Sequence, residues 1–184
     1  LVTGVQTCAL PIWEMAHARA GRASGIVLKM NALDDVGMIQ QLYAASRAGV
    51  PIELIVRGHT RLRPGLAGVS EHIRLRSIVG RFLEHDRIFW FENGGEPDVL
   101  IGSADWRRRN LEERVETLVH IRDRALQGRL RRILDAALAD NRFAWELDAA
   151  GGYHPVRPAP DEPECDFHQR MMREAADLER SGIA

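Results

Sequence analysis

Lysine is almost missing from this chain: Lys29 is the only one among 25 basic residues. Cysteine is nearly as scarce, with two in 184 residues, and aromatic side chains make up only 6%. Each shortage excludes something. Cys8 falls in an N-terminal stretch set aside below, which leaves Cys165 alone in a polar tail. A disulfide framework and a cysteine zinc site are both ruled out, and a reducing, cytoplasmic setting is expected. No aromatic residue lies between Arg57 and Arg76. A single-strand nucleic-acid surface, which needs aromatics interleaved with its basic residues, is therefore disfavoured. No apolar run approaches the roughly 18 residues of a membrane span, so only peripheral contact with the inner face of a membrane is compatible. With a net charge of -1, no global field calls for nucleic acid.

What the chain has in quantity is arginine, and it is clustered. Seven arginines (Arg57, Arg61, Arg63, Arg74, Arg76, Arg81 and Arg87) face three acids (Glu71, Glu84 and Asp86) within residues 57–87. A GC-rich genome favours arginine everywhere, but it does not concentrate it. The length suits one domain with a sizeable core. Residues 1–12, LVTGVQTCALPI, resemble the conceptual translation of a common sequencing adapter, and they lack the basic start and small-residue cleavage site of a signal peptide. They are expected to be an artefact fused to a truncated gene, with few contacts to the rest. The domain is then expected over residues 13–153, followed by a tail with a helix over 154–184.

Residues 25–30 and 51–56 read as buried strands around a helix capped by Asp34 or Asp35 and stopped by Gly49. That is a βαβ unit with parallel strands. Residues 73–79 alternate apolar and basic like a strand, and 79–84 have room for one or two helical turns. Residues 88–91 and 99–101 form a hairpin through Asn93-Gly94-Gly95, and 115–121 read as a further strand. Residues 124–141 carry apolar positions at helical spacing, and 166–181 predict a terminal helix. The fold class is therefore α/β, a mixed sheet flanked by helices with a helical C-terminal tail.

Chemistry concentrates in residues 80–106, GRFLEHDRIFWFENGGEPDVLIGSADW. Arginine beside histidine is what phosphoryl transfer requires: a fixed positive field and one group able to move a proton or take a phosphoryl. Arg57 ends a central strand at Gly58, where open α/β sheets place their ligand crevice. It calls for a phosphate or for a carboxylate in an internal ion pair. Gly58 allows a sharp backbone turn. His85 stands between Glu84 and Asp86, either of which can orient its ring, with Arg87 two residues on and Ser103 returning on the next strand. Lys29 and Asn31, at the end of the first strand, can reach toward the same place. Trp90, Trp106 and Trp145 read as packing residues, and Arg107-Arg108-Arg109 as a solvated loop or a track for a polyanion.

The order His85-Asp86-Arg87, Glu92, Gly102-Ser103-Ala104-Asp105 resembles the phospholipase D pattern, with arginine for lysine and aspartate for asparagine. A closer resemblance runs from about Arg22 to Tyr153. It rests on Val27-Leu28-Lys29-Met30-Asn31, residues 54–58, Leu62-Arg63-Pro64-Gly65, residues 77–85, Phe91-Glu92-Asn93-Gly94-Gly95, and Ser103-Ala104-Asp105-Trp106 with Asn110. Those segments are similar to the C-terminal catalytic region of the polyphosphate kinase (type 1) family, the second of its two phospholipase D-like domains.

The resemblance implies an ATP:polyphosphate phosphotransferase, reversible, using Mg²⁺, with ATP, ADP and polyphosphate as partners. It also implies a longer parent chain that assembles as a homo-oligomer. It assigns Arg57 and His85 to ATP, Arg114 to a phosphate channel, and places Arg87 and Ser103 beside them, with His85 as the catalytic member. The histidine that the family phosphorylates belongs to the preceding domain and has no match here, so the isolated chain is expected to be inactive. Two alternatives remain: half of a phosphodiesterase, which needs a true lysine where Arg87 stands, and an arginine-rich polyanion-binding module.

Overall fold

The computed structural model describes residues 4–180, with side chains from Leu10 onward. Its centre is an eight-stranded sheet in the order β6-β5-β4-β1-β2-β3-β7-β8. The expected βαβ unit starts it. Strand β1 (Ile26–Met30) is buried along its whole length and pairs parallel with β2 (Ile52–Val56), Leu28 against Leu54. Between them runs α2 (Val36–Arg47), whose first turn is capped by Asp35 Oδ1 accepting from the Met38 amide at 2.8 Å. Strand β3 (Ile73–Ile78) extends the parallel set.

The next strands reverse direction. Strands β4 (Ile88–Phe91), β5 (Asp98–Gly102) and β6 (Leu118–His120) build an antiparallel wing on β1, with a short 3-10 turn, Asn93–Gly95, between β4 and β5. On the far side, β7 (Ala144–Leu147) and β8 (Tyr153–Pro155) add an antiparallel hairpin to β3. That hairpin is not predicted from sequence, because AWEL and YHP are too short and polar for a period-2 signal.

Helices cover both faces. Helix α1 (Gly4–Arg19) and α2 seal one core with Leu10, Leu42, Leu54, Phe89 and Trp106. Helix α3 (Arg124–Leu138) and α4 (Phe167–Arg180) seal the other with Val27, Ile55, Trp90, Leu134 and Phe167. None of the described helices is long and apolar enough to cross a membrane. The division expected after residue 153 falls inside β8, and α4 delivers Phe167 into the second core.

Two expectations need correction. Residues 79–84 form no helical turn; they run as an irregular loop, held by the side-chain contacts described below. The expectation of few contacts over residues 1–12 fails at Leu10, which is buried in the first core. Helix α1 sets Leu10 on the same face as Glu14, Met15 and Ala18, so burial of one carries the others. Residues 1–3 lie outside the described residues.

Glu14 pins that helix to the sheet. Its carboxylate accepts from the Gly25 amide at 2.8 Å and from the Asn93 amide at 2.6 Å. Burial pushes its pKa above the ordinary 4.5, and the two amides offset only part of that. Glu14→Ala leaves both amides without an acceptor and is expected to cost about 1–3 kcal/mol in urea unfolding. Because the folded pKa is the higher one, this carboxyl favours folding fully below pH 4.5 and progressively less as pH rises through its folded value. That part of the pH slope should vanish in the variant.

Candidate functional site

The C-terminal ends of β1 and β2 share an edge of the sheet with the start of β4 and the end of β5, because β4 and β5 run in opposite directions. Asn31, Arg57, Arg87 and Asp105 meet there. Arg57 donates from Nε (3.1 Å) and from one terminal nitrogen (2.9 Å) to Asn31 Oδ1. Asn31 in turn donates its backbone amide (2.8 Å) and Nδ2 (3.2 Å) to Asp105 Oδ1. Arg87 closes the chain through Nε to Asp105 Oδ1 (3.1 Å) and a terminal nitrogen to Oδ2 (3.2 Å).

The sequence dictates this locally. Gly58 turns directly over Asn31: a Cβ there would stand 2.7 Å from the Asn31 carbonyl, which accepts from the Gly58 amide at 2.8 Å. Trp106 anchors the other side, fully buried and stacked on Phe89 with ring centres 5.8 Å apart. Asp105 is thereby held inward.

The two arginines end up chemically different. Arg87 and Asp105 are each only 9% exposed and form an ion pair. The remaining guanidinium nitrogen of Arg87 donates to the His85 carbonyl at 2.7 Å. Arg87 therefore has an internal partner at each of its three nitrogens. Arg57 has no carboxylate partner among the described residues; its only side-chain partner is the neutral amide oxygen of Asn31. Of the readings open for Arg57, the internal ion pair is not what the structure contains. Its backbone carbonyl accepts from Ser77 Oγ at 2.9 Å, and Arg57 lines a cavity of about 360 Å³ together with Gly58, Ser77, Val79, Trp145 and Tyr153.

His85 is exposed and its ring has no partner among the described residues. The carboxylates expected to orient it are engaged elsewhere. Lys29 Nζ donates to Glu84 at 2.6 Å and to Asp86 at 2.7 Å. Ser103 lies beyond Arg87 on a second cavity of about 460 Å³, lined also by Asp86, Gly102 and Thr117. Its hydroxyl bonds Glu116 and accepts from the Thr117 amide at 3.1 Å. Arg114 follows a turn of π-helix, Arg109–Glu113, with an exposed side chain that has no partner among the described residues. The five residues thus share one edge but do not line one cavity.

Glu92, read as the acid of the phospholipase D pattern, is at the opposite edge. Its amide donates to the Gly25 carbonyl and its carboxylate accepts from Trp90 Nε1 at 2.9 Å. In the arginine run, Arg107 pairs with Asp34 and Arg108 with Glu112. Trp145, read as a packing residue, is 38% exposed on the Arg57 cavity. Sequence reasoning placed Asp105 in both motif resemblances but missed it as the organising acid, because its partners Asn31 and Arg87 come from other strands.

Comparison with known proteins decides the family. Residues 10–167 match the model described as polyphosphate kinase C-terminal domain 2. The chain belongs to this family. It is 54% identical over 159 residues to the polyphosphate kinase of Thermosynechococcus vestitus, covering 86% of this chain and 22% of that one. The polyphosphate kinase 1 of Chlorobaculum tepidum is 48% identical over 160 residues, covering 87% and 23%. The crystal structure of polyphosphate kinase from Porphyromonas gingivalis superposes with a TM-score of 0.92 at 36% identity, over 97% of this chain and 27% of that one. The chain therefore spans about a quarter or less of the curated relatives named here. A phospholipase D family member, Nuc from Salmonella typhimurium, shares the fold alone, with a TM-score of 0.53 at 15% identity over 74% of this chain and 90% of that one.

The contrast between the arginines is testable in folding. Asp105→Ala strands the buried Arg87 charge and should cost about 3–5 kcal/mol. Arg57→Ala breaks no ion pair and should cost about 1 kcal/mol. Equal losses in chemical denaturation would make Arg57 a structural cation.

Proposed function

We propose that this chain is the phosphate-handling C-terminal part of an ATP:polyphosphate phosphotransferase. The observation that carries the reading is Arg57, a cavity-lining arginine with no carboxylate partner among the described residues, in a chain of this family whose neighbouring arginine, Arg87, is paired with Asp105. An arginine without an internal anion is a site for an external one, and its planar fork suits two phosphate oxygens. His85, exposed and unpartnered, is suited to exchange a proton with a transferring phosphoryl group or to hold it by a hydrogen bond. Arg114 extends the positive surface. Ser103 and Arg87 contribute through the backbone and carboxylates they hold. ATP or ADP and polyphosphate are the partners this chemistry recognises.

Mg²⁺, implied by the family, does not find a ligand set here. No group of three or more His, Cys, Asp or Glu among the described residues is placed to hold a metal, and Asp105, Glu84 and Asp86 are each committed to cations. No step is assigned to a metal on this chain. The phosphorylated histidine belongs, by the family resemblance, to the preceding part of a parent enzyme. This chain alone is then a half-site, since transfer needs both groups held in register. The phosphodiesterase reading loses ground because Arg87, standing where that chemistry uses lysine, is locked against Asp105.

Inorganic tripolyphosphate titrated into the chain by calorimetry should bind weakly, with affinity falling as salt rises, and no polymer should form from ATP. Arg57→Ala should lower the affinity about tenfold and Arg57→Lys by less, since lysine keeps the charge and loses the fork. In a full-length enzyme carrying this domain, His85→Ala should slow synthesis by about 10²–10⁴-fold, while His59→Ala and His72→Ala leave it near normal. Polymer synthesis by the chain alone, or a well-folded His85→Ala enzyme with normal turnover, overturns the reading.

A further inference from the structure

One buried polar cluster lies outside the arginine network. His168, at the start of α4, is buried, and each of its ring nitrogens meets the loop that joins β3 to β4. Nε2 lies 2.5 Å from Glu84 Oε1, and Nδ1 accepts from the Phe82 amide at 3.3 Å. With Nδ1 accepting from the loop, Nε2 is the nitrogen that donates to Glu84. Gly80 passes so close that a Cβ would sit 2.5 Å from Nδ1, and the Phe82 ring meets the imidazole edge-on at 5.4 Å. The other oxygen of Glu84 takes Lys29, which also takes Asp86 and lies 5.7 Å from the Phe167 ring centre. The residues on either side of His85 are thus fastened, while His85 itself is exposed and unpartnered.

We propose that His168 is a positioning residue, a latch by which helix α4 sets the place of the loop carrying His85. The proposal rests on the reading of His85 as part of the phosphate site. The Val79 amide donates to the Phe143 carbonyl at 3.2 Å, but residues 80–87 have no regular secondary structure, so a strand ladder does not define their path. Side chains must. Burying Lys29, Glu84 and His168, with side-chain exposures of 4%, 10% and 5%, gains little stability over an apolar cluster of the same volume. An apolar cluster, however, tolerates sliding, whereas two directed bonds from one ring to residues two apart admit one register. His168 also lies one residue past the span matched to the family, so the latch adds a contact from the tail to the site edge.

Amide hydrogen exchange on the 184-residue chain tests this directly. In His168→Ala, amides of residues 80–86 should exchange at least about tenfold faster, while those of β1 and β2 stay within about twofold. His168→Gln, which keeps a donor for Glu84, should restore much of the protection. Glu84→Gln, which weakens the same contact from the loop side, should loosen the same amides. Tripolyphosphate affinity should fall in His168→Ala and recover in His168→Gln.

Unchanged loop exchange in folded His168→Ala overturns the latch, as does acceleration spread equally over β1 and β2. If His168→Ala does not fold, the Glu84→Gln and His168→Gln pair decides by the same criteria. A freed loop with unchanged affinity overturns the link from latch to site. Failure of the site reading looks different: His85→Ala and Arg57→Ala then leave affinity unchanged in a chain whose loop exchange still responds to His168.

Discussion

Asp105 holds three elements at one point: the end of β1 through the Asn31 amide, the start of β4 through Arg87, and the segment after β5 from which it comes. Each of its bonds crosses from one strand end to another, so this carboxylate ties together side chains beyond the reach of the strand ladders. The ion pair with Arg87 is nearly dry, which raises both its strength and the cost of breaking it on one side. Asn31 passes the constraint on. Its amide nitrogen serves Asp105 and its amide oxygen serves Arg57, so a single planar group sets the distance between a saturated arginine and an available one. Gly58 and Trp106 serve the same arrangement from either side, one by permitting close approach and the other by filling the space beneath.

This division between paired and unpaired charge is how the fold separates structure from chemistry. Of the cations at the site edge, Lys29 and Arg87 are neutralised inside the protein: Lys29 by Glu84 and Asp86, the acids that a sequence reader would assign to His85, and Arg87 by Asp105. Arg57 and Arg114 have no carboxylate partner among the described residues. The histidine loop lies between these two classes, fastened at Glu84, Asp86 and Phe82 and open at His85. A half-site of this kind has positive field and one proton-transfer group. On the function proposed above, it would need a second body to present the reacting phosphoryl; the chain spans about a quarter or less of the relatives described above.

Much of this was legible in the order of residues. The apolar runs Ile26-Val27-Leu28 and Leu54-Ile55-Val56 give the parallel strands, Asp35 and Gly49 bound the helix between them, and Asn93-Gly94-Gly95 marks the reversal into β5. These are local: neighbouring residues and backbone sterics decide them. The family, too, could be read from the spacing of short motifs along the chain. The position of Arg57 at a strand end was likewise visible, because strand ends follow from hydrophobic pattern alone.

Which charges would pair was not visible. Glu84 and Asp86 flank His85 in sequence, yet Lys29, more than fifty residues earlier, takes both, because β1 runs beneath the loop and a buried ammonium must find carboxylates. Glu92 holds the right place in a motif and the wrong edge of the sheet, since β4 carries it to the far end. Nothing in the sequence of the terminal helix marks His168 as the partner of Glu84; the return of α4 beneath Gly80 brings them together. The sequence by itself determined β1 to β6, helices α2 to α4, the family and the supply of arginine. Only the tertiary structure decided which arginine is free and what holds His85, because burial forces ion pairs between groups that the chain keeps far apart.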